Sequence, residues 1–327
     1  MQENIVTIAI PTYERAEMLE ESLRSALNQD FSSDWKVLVC DNGAEDLMEV
    51  GSESLRRLLG SSRVRYIHNE RNLGMFGNWN KCLYECETGY ITILNDDDLL
   101  ESNFLAEIDA LRLKRPGGLA YLAASATFGN DEFLRAAHSG LELWVRRFLR
   151  RVKELLSPSN RSEIRVLTDT DLFYGNPTNG GLGVTFQVET AREIGGYRSS
   201  AGGGADWDLL VRLSQVGKLY LSKKIVGRYR YEVNTTLNEG VMESFLKTAP
   251  IIRAELVNSE ASMLRKMLFR WADSLQNTLQ AKRYELITQN ANMIVIKKNK
   301  IYLFSLFTIF LMRAYLRCIV VVLSHVR

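Results

Sequence analysis

Two hydrophobic periods alternate along the first hundred residues. NIVTIAI is a continuous apolar run ending at Pro11, the pattern of a strand buried on both faces. From Glu14 to Asn28, residues Met18, Leu19, Leu23 and Leu27 recur on one helical face. WKVLVC predicts a second strand, closing at Asp41-Asn42-Gly43, followed by a helix over roughly 45–59 and the strand VRYIH. A helix from about Phe76 to Glu87 leads to a fourth strand, YITIL, which runs straight into Asp96-Asp97-Asp98. Short β-rich runs between amphipathic helices predict an α/β fold: a mixed, mainly parallel sheet with right-handed crossovers, flanked by helices. Open sheets of this kind bind ligands at the carboxyl ends of their strands. Pro11 to Arg15, Asp41 to Gly43 and Asn95 to Asp98 are therefore expected in one crevice.

Further on, GLAYLAAS reads as a strand. Leu141, Trp144, Val145, Phe148, Leu149, Val152, Leu155 and Leu156 then recur at helical spacing among Arg146, Arg147, Arg150, Arg151 and Lys153. A loop, YGNPTNGGLG, precedes the strand VTFQV, and a glycine-rich loop feeds a helix starting near Asp206. A β-ribbon is predicted over about 218–233, and from Glu239 onward the pattern is helical. Ile301 to Leu323 is almost wholly apolar, interrupted only by Arg313 and Arg317. Its length fits a bilayer, but two arginines at mid-membrane are costly. With Lys297, Lys298 and Lys300 beside it and the basic helix upstream, it reads as a membrane-surface device; a span or a packed bundle or dimer are the other readings. The N-terminus has neither the basic region of a signal peptide nor an anchor, so the predicted location is cytoplasmic, peripheral on the inner face of the cytoplasmic membrane.

The chain of 327 residues is 46% hydrophobic and 24% charged, an ordinary globular balance. A net charge of +2 argues against nucleic acid as a partner. Cys40, Cys82, Cys86 and Cys318 follow no zinc or disulfide pattern and read as buried thiols. His68, His138 and His325 lack ligand spacing.

Chemistry concentrates in the acids. Asp96, Asp97 and Asp98 repel one another and call for a cation or full solvation. On an extended backbone Asp96 and Asp98 face one ion and Asp97 points elsewhere. Hard carboxylate oxygens suit Mg²⁺ or Mn²⁺. The competing reading is an acidic turn capping a helix near Ser102. Asp41 starts a turn or receives a ligand donor, Arg15 is a solvated helix residue or an anion ligand, and Asp206 is a helix cap or a general base.

ITILNDDDLL resembles the D-x-D signature of the GT-A-fold, family 2 glycosyltransferases. IAIPTYER resembles that family's opening strand and turn, with Glu14 where asparagine is usual. VLVCDNG resembles its second strand, and NERNLGMFGNWNKCLYECETGYITIL its N-x-G segment and following helix. GGGADWDLLVRL resembles its E-D-W-D-L-x-x-R-L helix, with Ala205 in place of glutamate. The resemblance implies a GT-A (Rossmann-like) catalytic domain over 1–238, with a nucleotide-sugar half at 1–104 and an acceptor half at 105–238. A helical, membrane-associating region follows at 239–327. It implies that Asp41 reads a pyrimidine N3–H, that Pro11, Thr12, Tyr13 and Arg15 shape the base and phosphate pocket, and that Asn72 and Gly74 flank the nucleoside. By the same resemblance Asp96 would approach the ribose or metal, Asp97 would lie in the nucleotide-sugar site, Asp98 would bind the metal directly and Asp206 would be the general base. Glu232 stands where relatives carry a metal-binding histidine, an open third ligand. The implied reaction is metal-dependent, inverting transfer from a UDP- or dTDP-sugar to a hydroxyl of a glycan or lipid-linked glycan, as in bacterial surface polysaccharide, by a chain that can form a homo-oligomer. The rival readings are a weakly catalytic sugar-nucleotide-binding module or another sugar-nucleotide enzyme; PTYER is not the lysine-bearing glycine loop of the latter.

Overall fold

The computed structural model describes residues 2–129, 163–231, 239–257, 263, 266, 267 and 269–278. The basic helix expected over 141–156, Glu232, and the apolar stretch 301–323 with its flanking lysines lie outside these residues.

Four parallel strands form the first half: β1 (Gln2–Thr12), β2 (Trp35–Asp41), β3 (Val64–His68) and β4 (Thr88–Ile93). Between them run α1 (Ala16–Leu27), two short helices, α2 (Leu47–Val50) and α3 (Glu53–Leu59), and α4 (Gly74–Glu85). The single helix expected over 45–59 is split at Gly51 and Ser52, where Ser52 Oγ caps α3 by accepting the Leu55 N–H at 3.0 Å. β5 (Leu99–Leu100), α5 (Phe104–Lys114), β6 (Ala120–Gly129), β7 (Ile164–Val166), α6 (Asp169–Phe173), β8 (Val184–Gln187) and α7 (Val188–Glu193) follow. A 3₁₀ turn (Ser199–Gly204) leads into α8 (Ala205–Val216), β9 (Leu219–Tyr231) and α9 (Glu239–Ala254).

Among the described residues the strands form one mixed sheet, ordered β3-β2-β1-β4-β8-β6-β9-β5, with β7 also on β9. β8 runs antiparallel to both β4 and β6. The ribbon expected over 218–233 is instead the one long strand β9, parallel to β6 on one edge and holding β5 and β7 antiparallel on the other.

Strand alternation sorts the core onto two faces. Val6, Ile8 and Ile10 pack with Leu19, Leu23, Phe104 and Leu105 on one side. Ala9, Leu38 and Cys40 pack with Cys82, Leu83, Trp207 and Leu210 on the other. Each fully buried leucine here contributes about 1.5–3 kcal/mol of hydrophobic free energy. Cys40, Cys82 and Cys86 are buried thiols. The second core continues past residue 238 through Ala249, Ile252, Leu256 and Ala272. Arg253, with no exposed surface, reaches Asp273 at 2.5 Å. The start of the C-terminal helical region is thus packed on the α/β body. No helix among the described residues is long and apolar enough to cross a membrane.

One residue between β1 and α1 is strained. Glu14 has φ 53°, in the left-handed region that asparagine and glycine tolerate better than other residues. Replacing Glu14 by Asn is expected to stabilise the protein by about 1 kcal/mol, read as a higher midpoint in urea at unchanged slope.

Candidate active site

The carboxyl ends of β1, β2 and β4 meet as the sequence rule requires. Asn42 N–H donates to Thr12 O at 2.9 Å, and the Thr12 hydroxyl donates to Asp96 Oδ2 at 2.9 Å. Arg15, at the entrance to α1, places Nη1 3.2 Å from Asp96 Oδ1 and 3.3 Å from Asp97 Oδ2. From within α1, the Ser22 hydroxyl lies 2.8 Å from Asp96 O and 2.6 Å from Asp98 O, fixing the acidic turn from behind.

That turn changes the expected direction of the side chains. Residues 96 and 97 form a turn rather than extended backbone, so Asp96 and Asp97 share Arg15 and both line the cavity. Asp98 points the other way and has no exposed surface. Its Oδ1 accepts the Arg230 backbone N–H of β9 at 2.9 Å, and Asn95 Nδ2 donates to its Oδ2 at 3.3 Å. Burial, reinforced by the neighbouring Asp97 charge, pushes the Asp98 carboxyl up to about 7. Burial also raises Asp96 and Asp97, against the pull of Arg15.

Asp41 differs in the same manner. It is 1% exposed, its Oδ1 accepts the Gly43 N–H at 2.8 Å and its Oδ2 accepts the Tyr66 hydroxyl at 2.8 Å. It therefore shapes the turn from beneath, and Asn42 takes its place on the wall. Asn42 is locked by amides: it accepts from Asn69 Nδ2 and from the Leu73 N–H, both at 3.0 Å, and donates to Asn72 Oδ1 at 2.9 Å. Asn72 also accepts the Gly74 N–H at 2.7 Å. Gly74, at φ 72°, opens α4 in a conformation other residues disfavour.

Asp206 stands in the opposite wall. The N-cap of α8 is Gly204, so Asp206 lies inside the first turn and is not the cap. Its Oδ1 accepts the Trp207 N–H at 2.8 Å, and its Oδ2 accepts from Asn176 Nδ2 at 2.5 Å. Burial raises its carboxyl above the ordinary range. Trp207 is fully buried and donates to Leu172 O at 2.9 Å, while Asp208 pairs with Arg212 at 2.7 Å. Both hold the helix in place. α9 presses on the glycine turn: a Cβ at Gly203 would stand 2.9 Å from Val241 O. Val241 and Phe245 reach the cavity from this helix.

Pro11, Thr12, Tyr13, Arg15, Asn72, Gly74, Asp96, Asp97 and Asp206 thus share one cavity of ≈ 620 Å³; Asp41 and Asp98 lie behind it. Asn42 and Asn95, expected in the crevice with their neighbours, line it too, and so do Asn78, Trp79, Asn176, Tyr229 and Phe245, which were not foreseen. Of these, Asn176 had a local signal, in the Gly/Asn-rich loop YGNPTNGGLG. Among the described residues no cluster of three or more histidine, cysteine or acidic side chains forms a ready metal site. The hard oxygens of Asp96 and Asp97, facing the cavity beside Arg15, fit a divalent cation such as Mg²⁺ or Mn²⁺.

Residues 7–167 match glycosyl transferase family 2. That stretch of the chain is a family 2 glycosyl transferase domain. Among similar curated proteins is the GalNAc(5)-diNAcBac-PP-undecaprenol beta-1,3-glucosyltransferase of Campylobacter jejuni, 28% identical over 41% of this chain and 42% of the relative. Another is the Escherichia coli UDP-Glc:alpha-D-GlcNAc-diphosphoundecaprenol beta-1,3-glucosyltransferase WfgD, 28% identical over 35% of this chain and 43% of the relative. The matched part thus spans less than half of either relative. Among solved structures, S. aureus TarS 1-349 in complex with UDP-GlcNAc superposes with a TM-score of 0.56 at 15% identity, covering 82% of this chain and 70% of that one. The mannosyltransferase PcManGT of Pyrobaculum calidifontis, in complex with GDP-Man and Mn2+, gives 0.58 at 14% identity, covering 98% and 85%. The chain has the GT-A fold, as its sequence implied.

Asp98 and Asp97 are separable by stability. Asp98→Ala leaves the half-buried Arg230 N–H without its acceptor and is expected to cost about 1–3 kcal/mol in ligand-free denaturation. Asp97→Ala, which removes repulsion as well as an ion pair, is expected to stay within about 0.5 kcal/mol of the parent.

Proposed function

We propose that this protein is an inverting glycosyltransferase. It takes a sugar from a UDP- or dTDP-sugar and attaches it to a hydroxyl of a lipid-linked glycan during polysaccharide synthesis. The observation that carries the reading is the pairing, across one cavity, of the Asp96–Asp97–Arg15 group with the Asp206 carboxylate. One wall suits a diphosphate and the other a proton acceptor. The relatives' names support the substrate class, since two act on undecaprenol-linked sugars and one of these uses UDP-Glc.

The donor's base fits among Pro11, Tyr13, Asn42 and Asn72, where the Asn72 N–H₂ can meet its polar edge, and Arg15 meets the diphosphate. Mg²⁺ or Mn²⁺ held by Asp96 and Asp97 would supply further charge neutralisation at the departing diphosphate. Asp98 anchors this pair from behind; Glu232 is a further oxygen donor by sequence. Asp206 takes the proton of the acceptor hydroxyl as that oxygen bonds to the anomeric carbon and the sugar–phosphate bond breaks. A single displacement of this kind inverts the anomeric centre. The lipid carrier of the acceptor would place the protein on the cytoplasmic face of the membrane, for which the sequences of 141–156 and 301–323 are suited.

With a panel of UDP- and dTDP-sugars and Mn²⁺, Asp206→Asn is expected to lower turnover about 10²–10⁴-fold. Asp97→Ala should lower it as well, and chelation should abolish it in the parent. Parental turnover in both variants would sink the reading. Because the base works only ionised and burial raises Asp206, activity should climb as pH rises through a value above the usual aspartate range near about 4. A pH profile of kcat/KM with its acid limb at or below that value would contradict the assignment.

A further inference from the structure

The carboxylate of Asp206 is held from outside its own helix by one side chain only among the hydrogen bonds described. Asn176 Nδ2 donates to Asp206 Oδ2 at 2.5 Å, from the loop between α6 and β8. The orientation of that amide follows from chemistry. Thr178 N–H, which can only donate, lies 3.0 Å from Asn176 Oδ1, and the Thr178 hydroxyl donates to the same oxygen at 2.9 Å. The oxygen of the Asn176 amide is thereby turned into the loop, and its N–H₂ must face Asp206.

We propose that Asn176 is a positioning residue for the catalytic carboxylate, fixing its plane and its ionised form while the acceptor hydroxyl approaches. The Trp207 N–H holds Oδ1 from the helix side, and Asn176 holds Oδ2 from the cavity side. Two donors on two different oxygens stop rotation about the carboxylate's last torsion. One lone pair on each oxygen remains for a proton. A donor to the charged form also counters the burial of Asp206.

The same loop reaches the donor wall. Gly180 O accepts from Asn95 Nδ2 at 3.4 Å, next to the acidic turn. At φ 80°, Gly181 brings its backbone beside Asp206, where an added Cβ would stand 3.5 Å from the Asp206 Cβ. The segment 176–181 therefore joins the base to the aspartate turn, and Asn176 is the member that touches the base. Within YGNPTNGGLG, Gly181 serves this close passage and Asn176 the carboxylate.

This inference rests on Asp206 being the base, and the test keeps the two apart. In full-length protein labelled with ¹³C at aspartate carboxyls, the Asp206 signal is assigned by its loss in Asp206→Asn and followed against pH. In Asn176→Ala its midpoint is expected to move up by roughly one to two units. Thr178→Val, which removes one of the two donors orienting the amide and preserves the fold if Asn176→Ala does not, should move it the same way by less. With a donor sugar, kcat of Asn176→Ala should fall at neutral pH and recover in part at higher pH, with the donor KM unchanged. An Asp206 midpoint that stays in place in both variants, or a loss of activity seen only as lowered stability with an unshifted pH profile, overturns the role of Asn176. Full turnover by Asp206→Asn overturns instead the reading on which it rests.

Discussion

Three adjacent carboxylates must be held at the end of a buried strand. Two like charges about 5 Å apart at an effective dielectric constant of about 20 repel by roughly 3 kcal/mol, and burial raises all three carboxyls here. Only part of the compensation is local, the Asn95 side chain donating to Asp98 Oδ2. The rest comes from the Thr12 hydroxyl at the end of β1, Arg15 at the entrance to α1 and the Arg230 backbone N–H of β9, while the Ser22 hydroxyl in α1 holds the turn by its backbone carbonyls. Those groups lie up to 132 residues away in sequence. The sheet order that places β1 beside β4, and β5 against β9, is what makes the acidic turn tolerable.

The turn also divides labour among its members. Asp98 faces inward and ties the turn to β9; Asp96 and Asp97 face the cavity with Arg15 between them. The opposing wall depends on α8, whose first turn is pressed into place by α9 across three consecutive glycines. Asp206 is thereby set by packing from beyond residue 238 as well as by its own helix. A glycosyl transferase family 2 domain thus borrows the beginning of the C-terminal helical region to complete its cavity.

Much of the fold was readable from hydrophobic period, because strands buried on both faces and one-faced helices leave distinct patterns. The β1–α1 and β3–α4–β4 segments and the start of α8 lie within a few residues of their expected positions. What could not be read locally was orientation. Alternation placed Asp96 and Asp98 together because it assumed an extended backbone, whereas the chain turns at 96–97. Asp41 looked like the ligand-facing residue of VLVCDNG, but Tyr66, from the neighbouring strand, occupies it and leaves Asn42 on the wall. Such contacts belong to pairs of residues far apart in sequence, and so do those that bring Asn176 and Phe245 into the cavity.

The most direct measurement is a crystal structure of the full chain soaked with UDP and Mn²⁺. The diphosphate is expected between Arg15 and the Asp96–Asp97 pair, the metal on carboxylate oxygens of that pair, the base beside Asn42 and Asn72, and Asp206 open to the space beyond the β-phosphate. A nucleotide bound outside this cavity, or a diphosphate placed against Asp206 and away from Arg15, would contradict the assignment of the two walls.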